Sequence, residues 1–419
     1  MERTWRWFGK KDKITLAQLR QIGVEGIVTA LHDVPNGEVW TREKIRDLRE
    51  YIESYGMRWS VVESLPVCES IKYGGSDRDQ LIENYKESLK NLSLEGIHTI
   101  CYNFMPVLDW ARTDLMHPNP NGSTNLYFSY PEFAYFDIYI LKREGAMDDW
   151  ASFKFPAELP SAAGRDILAE VEDLRRNMTA EGEHKLVENI IVKTQGFVSG
   201  NIKEDDEHPV ELFRQLLDLY KGIDKKQLRE NMKYFLEAIM PTCEEYGMNM
   251  CVHPDVPPIE VLGLPRIVRT EDDIQWFLDA VPNKHNGLTF CAGSLSAGAY
   301  NDVVDLARKF ASRTHFVHLR SCHIFPNGDF TEASHLGGRA DLIELVRIFE
   351  KENPQLPMRV DHGMTLTDQP GGVFDETNHG HNAGYTLLGR MFAMGQVQGI
   401  MATVDRELGI DYKQPGFFD

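Results

Sequence analysis

The sequence lacks the features of a secreted, disulfide-stapled or membrane-spanning protein. It has only 6 cysteines in 419 residues and no Cys-x-x-Cys pair, which indicates the reduced thiols of a cytoplasmic protein. The opening Met-Glu-Arg-Thr-Trp-Arg-Trp contains no apolar signal-peptide region. No run of about 18 apolar residues occurs, so we expect no membrane partner.

Positive charge is also scarce. Lys and Arg number 45 against 64 Asp and Glu, which gives a net charge of −19. A surface this acidic repels nucleic acid, so we expect no nucleic-acid partner. A small anionic substrate is not excluded, because a few arginines in a pocket can outweigh distant charges that salt screens.

What the sequence does contain is a repeated alternation of short apolar segments and amphipathic segments, which is typical of parallel α/β proteins. The predicted strands are residues 4–8, 26–30, 58–62, 98–103, 249–253, 288–291, 315–319 and 358–361. The predicted helices around them are 16–22, 41–55, 76–94, 227–246, 270–280, 303–312, 341–350 and 385–393. Because eight strands close a (β/α)₈ barrel, we predict a single TIM-barrel domain over residues 1–419.

One long insertion interrupts this alternation after the fourth predicted strand. Residues 105–225 are too many for a simple loop, and they include predicted helices at 161–178 and 183–192. An insertion at the carboxyl end of a barrel strand lies over the active-site face. We interpret it as a lid or a dimer arm, with a peripheral subdomain as the alternative.

Four short strings each end a predicted strand with a side chain that can bind metal. They are Cys251-Val-His253-Pro-Asp255, Phe290-Cys291-Ala-Gly-Ser294, Phe316-Val-His318-Leu-Arg320 and Arg359-Val-Asp361-His362-Gly363. Taken singly, each histidine is more often a core residue and Cys291 more often an apolar filler. Because the strings occupy consecutive strands whose ends share one barrel mouth, they predict a metal site formed by the following residues. The predicted ligands are His253, Cys291, His318 and Asp361.

These strings, together with the opening Thr-Trp-Arg-Trp-Phe-Gly of residues 4–9, resemble the mannonate dehydratase family over nearly the whole chain. The resemblance implies a xylose-isomerase-like TIM barrel that removes water from D-mannonate in hexuronate breakdown, giving 2-dehydro-3-deoxy-D-gluconate. It implies Mn²⁺ or Fe²⁺ on the same four ligands and an acid/base pair at His362 and Tyr385. With the insertion, it also suggests a homodimer. The stretch 365–381 is longer than in the short family members.

The chemistry of a sugar acid explains why such residues are needed. Its C2 proton is weakly acidic because a second negative charge must build beside the carboxylate. A divalent ion offsets this charge while a base takes the proton and an acid protonates the departing C3 hydroxyl. His362 directly follows Asp361, so it is a candidate base, with a turn residue as the alternative. Tyr385 is a candidate acid or hydrogen-bond donor, or else an aromatic residue that packs on the barrel.

Three further residues are predicted to bind the sugar-acid substrate. Arg320, two residues beyond His318, can hold a carboxylate with both ends of its guanidinium, or else be a solvated surface residue. Asn103 at the end of the fourth strand and His32 after the second can bind sugar hydroxyls, or else cap loops.

Other functions compete with the dehydratase. A metal-dependent sugar isomerase uses the same kind of barrel, but such sites generally rely on carboxylates and often on two ions. A TIM-barrel phosphodiesterase acting on DNA is disfavoured by the charge of −19. A binding protein with a structural zinc would need a closed site without an acid/base residue beside it.

Overall fold

Eight parallel strands form a closed barrel in the computed structural model, which describes residues 1–194, 202, 206–366 and 383–412. The strands of the chain are β1 Glu2–Arg6, β2 Gly26–Thr29, β3 Arg58–Glu63, β4 Thr99–Tyr102, β5 Asp114–Pro118, β6 Thr124–Phe128, β7 Asn249–Val252, β8 Asn286–Cys291, β9 Thr314–Leu319, β10 Cys322–Ile324, β11 Phe330–Glu332 and β12 Pro357–Val360. The barrel order is β1-β12-β9-β8-β7-β4-β3-β2, and β1 pairs with β2 to close it. The predicted TIM barrel is therefore confirmed.

Helices cover the outside of the barrel and build most of the insertion. They are α1 Leu16–Gln21, α2 Arg42–Glu53, α3 Glu69–Tyr73, α4 Arg78–Leu94, α5 Tyr130–Tyr135, α6 Ala146–Ser152, α7 Ile167–Asn177, α8 Ala180–Val187, α9 Pro209–Asp218, α10 Lys225–Tyr246, α11 Glu271–Ala280, α12 Ala292–Ser296, α13 Val303–Phe310, α14 Leu342–Glu352 and α15 Leu387–Leu408. Two π-helical turns, Phe136–Leu141 and Glu188–Val192, and two 3₁₀ turns, Pro160–Ala162 and Ala311–Arg313, accompany them.

Local sequence explains where several helices begin. Thr41, Thr270 and Asp341 each precede a helix, and each side-chain oxygen accepts a hydrogen bond from a backbone N–H of the first turn. The last helix differs from the prediction of 385–393, because α15 begins at Leu387 and continues to Leu408, where Gly409 ends it in a left-handed conformation. Tyr385 therefore precedes the helix.

Three apolar clusters support the barrel and the insertion. A small layer fills the barrel interior: Val28, Val61, Cys101, Cys251 and Phe316. A larger cluster joins the strands to the surrounding helices. The insertion has a core of its own, which includes Phe133, Phe136 and Ile190.

The insertion is tied to the barrel by a second sheet. Strands β5 and β6 form an antiparallel hairpin, and β6 pairs with β11 of the hairpin that follows β9. The resulting sheet has the order β10-β11-β6-β5. It fixes the insertion over the carboxyl ends of the barrel strands, and its role as a lid or dimer arm stays a prediction.

Most of the long stretch 365–381 lies outside the described residues. Within the ranges that the structure describes, no helix combines the length and apolar character that a membrane crossing needs.

Candidate metal centre and active site

A cavity of about 330 Å³ opens at the carboxyl ends of the barrel strands. Its walls come from the residues that end or follow the strands, together with the start of the insertion. Of the predicted site residues, the cavity is lined by His32, Asn103, His253, Arg320, Asp361, His362 and Tyr385. The fold thus brings residues from nearly the whole length of the chain into one pocket.

Three of the predicted metal ligands form a compact group beside this cavity. The donor atoms of His253, Cys291 and His318, at the ends of β7, β8 and β9, all lie within 4.8 Å of one another. The fourth, Asp361, directly follows β12. Its Oδ2 lies 3.9 Å from Cys291 Sγ and 3.8 Å from His318 Nδ1.

The charges of this group suit metal binding. Burial raises the pKa of the Cys291 thiol, but Arg320 and His253 outweigh it and bring the pKa well below its usual range. Burial lowers the pKa of His253, but the neighbouring Cys291 raises it to about 9, so the imidazole carries a proton that a bound metal ion would displace. Cysteine binds metal as the thiolate, and this is the form that the surroundings favour.

The imidazole of His253 is held in a defined orientation. Its Nδ1 lies 2.8 Å from the carbonyl oxygen of Pro254. Since a carbonyl oxygen only accepts hydrogen bonds, Nδ1 keeps its proton. The other nitrogen, Nε2, is then left to coordinate a metal.

A second group of donors overlaps the first, but its chemistry is less suited to a metal. Glu63, Cys101 and His318 also place donor atoms within 4.8 Å of one another. Burial raises the pKa of Cys101 well above its usual value, and the thiol belongs to the apolar layer inside the barrel. A protonated thiol is a poor ligand, so the donor chemistry favours the group that contains Cys291.

His318 is fully buried between the two donor groups. Its Nδ1 faces Asp361 Oδ2 at 3.8 Å, on the side of Cys291, and its Nε2 faces Glu63 Oε2 at 3.6 Å. A thiolate, two imidazoles and a carboxylate are together a suitable donor set for a first-row divalent ion.

Asp361 is held as a carboxylate by two buried arginines. Arg320 Nε lies 2.7 Å from its Oδ2, and Arg359 pairs with its Oδ1. Burial raises the pKa of Asp361, but Arg359 and the other nearby positive charges hold it well below the usual range. The side chain therefore carries a negative charge at the edge of the metal group.

His362 and Tyr385 form a hydrogen-bonded pair. His362 Nε2 lies 3.1 Å from Tyr385 Oη, and Oη lies 3.3 Å from Asp361 Oδ1. The other nitrogen of His362 faces Glu332 at 3.5 Å, and Trp110 of the insertion lies against the imidazole ring at 5.2 Å between centroids. Burial lowers the pKa of His362 and raises that of Tyr385.

Arg320 reaches the cavity, but the protein already supplies its partners. Its Nη1 lies 2.7 Å from both carboxylate oxygens of Glu332, its Nη2 lies 2.9 Å from Ser294 Oγ, and its Nε pairs with Asp361. The arginine is 1% exposed, so it is not a solvated surface residue. Its capture of a substrate carboxylate stays a prediction.

The two predicted hydroxyl-binding residues lie in different parts of the cavity. Asn103 hydrogen-bonds to Asp109 of the insertion, which is itself buried. His32 is exposed at the rim, with its ring 6.2 Å from that of Phe8. Their contacts with substrate also stay predictions.

The structure adds residues that the sequence reasoning missed. Glu63 ends β3 and pairs with Arg359 at 2.9 Å, whereas the predicted strand stopped one residue earlier. The same pattern of an apolar run ending at a ligand could have found it. Arg359 lies two residues before Asp361, so strand alternation would have placed both on one face. Glu332 comes from the second sheet, which the barrel pattern does not reveal.

Comparison with known proteins gives a consistent result. The sequence model of the family described as D-mannonate dehydratase (UxuA) matches residues 1–410. A mannonate dehydratase of Marinomonas sp. (strain MWYL1) is 43% identical over 410 residues, covering 96% of this chain and 98% of that protein. One from Chromohalobacter salexigens is 40% identical over 413 residues, covering 96% and 99%. The crystal structure of mannonate dehydratase from Streptococcus suis serotype 2 has a TM-score of 0.74 at 31% identity, covering 99% of this chain and 97% of that one.

Proposed function

The chain belongs to the mannonate dehydratase family, and from this premise we propose how its residues remove water from D-mannonate to give 2-dehydro-3-deoxy-D-gluconate. The enzyme is a hydro-lyase. The observation that carries the proposal is that a cysteine–histidine group suited to a divalent ion lies beside the cavity that a His–Tyr pair suited to proton transfer lines. The substrate lies between the two.

In this proposal the metal is held by His253, Cys291, His318 and Asp361. The thiolate, the imidazoles and the carboxylate fit Mn²⁺ or Fe²⁺, which we propose as the cofactor. When bound, the ion supplies a positive charge that stabilises the negative charge building on the sugar acid as C2 loses its proton. Arg320 and Arg359 keep Asp361 ionised and oriented beside it.

His362 acts as the base in this scheme. Because burial lowers its pKa, the imidazole is neutral near pH 7 and can accept a proton. Glu332 faces Nδ1 at 3.5 Å, which favours a proton on that nitrogen and leaves the Nε2 lone pair on the side of the cavity. His362 takes the C2 proton of the substrate through this atom.

Tyr385 acts as the acid. Burial raises its pKa, so the phenol keeps its proton until a stronger base forms beside it. As the C3–O bond breaks, Tyr385 donates its proton to the departing hydroxyl, which leaves as water. The proton on His362 then returns to Tyr385 across their 3.1 Å contact, and the released enol tautomerises to the keto acid. Both residues thereby regain their starting protonation states.

We also propose that the enzyme works as a cytoplasmic homodimer. All six cysteines are free thiols in the structure, which is consistent with a reducing compartment. The insertion 105–225 is the candidate dimer arm. Light scattering after size-exclusion chromatography tests this, and a mass of one chain at working concentrations would contradict it.

The decisive experiment is a keto-acid assay on D-mannonate. The protein is stripped with a chelator and then supplied with Mn²⁺ or Fe²⁺, and we expect product only after metal is restored. Aldoses are assayed in parallel, because an isomerase would convert those instead. No keto acid with either metal would overturn the dehydratase.

A further inference from the structure

Three buried arginines line the cavity, and they differ in whether the protein balances their charge. Arg320 pairs with Glu332 and Asp361, while Arg359 pairs with Asp361 and with Glu63 at 2.9 Å. Both of these guanidinium groups therefore have carboxylate partners from the chain. The positive charge of each is thereby balanced by the protein.

Arg6 is the exception. It ends β1, lines the cavity and is only 5% exposed. Its Nη1 is buried without a hydrogen-bond partner, and no carboxylate oxygen lies within 4.0 Å of the guanidinium, among the residues that the structure describes. Its Cζ lies 5.1 Å from the ring centroid of Phe8, and the carboxylate that acts on it most strongly, Glu63, lies beyond ion-pair distance and is paired with Arg359.

A buried cation without a partner is unfavourable unless something else supplies the charge. The whole chain carries a net charge of −19, so the sequence contains many carboxylates that could pair with Arg6. The described chain nonetheless leaves this one arginine unpaired inside the pocket that receives the substrate. The missing negative charge is then expected to arrive with the ligand.

We propose that Arg6 binds the carboxylate of the sugar acid and selects anionic substrates over neutral sugars, an inference that rests on the proposed function. A guanidinium matches a carboxylate with two parallel N–H donors, which favours the acid over an uncharged group of the same shape. Arg6 thereby takes the role that the sequence suggested for Arg320, whose donors already have partners.

A second buried arginine fixes Arg6 relative to the proposed acid. Arg390 donates from Nη1 to the backbone carbonyl of Arg6 at 2.9 Å and from Nη2 to that of Tyr385 at 2.6 Å. The carboxylate-binding residue and Tyr385 are therefore held at a set separation. A substrate gripped at its carboxylate would present its carbon chain to Tyr385 in a defined position.

The test compares D-mannonate with its neutral amide, D-mannonamide. We expect Arg6→Gln to raise the KM for D-mannonate by about 30-fold while the inhibition constant of the amide changes by less than about twofold. Arg6→Lys retains the charge, so its KM should fall between those of the wild type and Arg6→Gln. Thermal melting of both variants reports whether the fold persists.

Arg3→Gln is the matched control, because Arg3 lies on the same strand but pairs with Glu25 at 2.9 Å. It should leave the ratio of acid to amide affinity unchanged. Equal weakening of both ligands by Arg6→Gln, or an unchanged KM for the acid, would overturn the inference. If the wild-type protein does not dehydrate D-mannonate with either metal, the proposed function fails instead, and calorimetric titration with the two ligands then tests Arg6 separately.

Discussion

His362 Nε2 lies 3.1 Å from Tyr385 Oη, although the two residues are separated by a stretch of which 367–382 lie outside the described residues. The contact joins the end of a barrel strand to the residues that precede α15. The contact places His362, whose pKa is lowered mainly by burial, against Tyr385, whose pKa is raised mainly by burial. Such a pair is suited to separate base and acid roles.

His362→Asn should therefore retain the metal and lose turnover. Removing the base lowers kcat by about 100- to 10,000-fold, whereas the metal ligands are untouched. Metal content by elemental analysis and kcat by keto-acid assay check this. Exchange of the C2 proton with D₂O distinguishes the two roles, since His362→Asn should abolish exchange while Tyr385→Phe retains it. Substantial turnover by His362→Asn would show that another group is the base.

Cys291→Ala should lose metal and activity together. The surrounding positive charges favour its thiolate form, and without this ligand the two histidines and Asp361 hold a divalent ion less tightly. The measurement is metal per protein after dialysis, beside the keto-acid assay. Cys243→Ala is the control, because Cys243 is equally buried but lies in α10 away from the cavity. Full metal occupancy in Cys291→Ala would mean that the four-ligand site is wrong.

The barrel, and the side chains that lie at its mouth, could be predicted from the sequence because both depend on local patterns. Where an apolar run ends at a histidine, cysteine or aspartate, the sequence predicts both the strand and the side chain that lies at the mouth of the barrel. His253, Cys291 and His318 follow this pattern and converge as a group. The position of Tyr385 was harder to predict, because it depends on where α15 begins.

The contacts that the sequence did not predict depend on pairing between segments that are distant in the chain. Glu332 reaches Arg320 and His362 because β11 pairs with β6 of the insertion, and no period in either segment reveals that register. The pairing of Arg320 was missed for the same reason, since its main partner is Glu332. Whether a buried arginine is free or paired is decided by tertiary contacts, so sequence alone could not separate Arg320 from Arg6.

Acid should destabilise the protein partly through His335. This histidine is 3% exposed, and burial lowers its pKa from 6.5 to about 4. Between those values the unfolded chain binds the proton more readily than the folded one, so stability is complete above pH 6.5 and is lost as the pH falls toward 4. The full effect amounts to about 3 kcal/mol. Thermal melting between pH 7 and 4.5 should show a shallower loss for His335→Asn than for the wild type.

His323→Asn provides the comparison for that measurement. His323 is an exposed histidine on β10, in the same part of the chain. Its substitution should leave the acid dependence of the melting temperature as it is in the wild type. An unchanged slope in His335→Asn would show that other groups are responsible for the loss of stability.

Glu332→Gln should slow catalysis without removing the metal. The carboxylate of Glu332 pairs with Arg112 of the insertion and with Arg320, and it faces His362. Neutralising it weakens the contacts that orient the base and Asp361, and a small displacement of reacting groups can lower kcat by about 100-fold. We expect kcat to fall by about 10- to 100-fold with metal content retained.

Asp329→Asn separates this positioning effect from damage to the second sheet. Asp329 is also buried, and it pairs with Arg165 at 2.7 Å and hydrogen-bonds to Tyr127 at 2.8 Å, away from the cavity. Both variants should lower the melting temperature, because Glu332→Gln removes the carboxylate that pairs with the buried Arg112 and Asp329→Asn removes one of the two carboxylates that pair with Arg165. Only Glu332→Gln should lower kcat at saturating D-mannonate. An equal loss of kcat in the two variants would mean that the intact sheet, and not the Glu332 carboxylate, holds the active site in place.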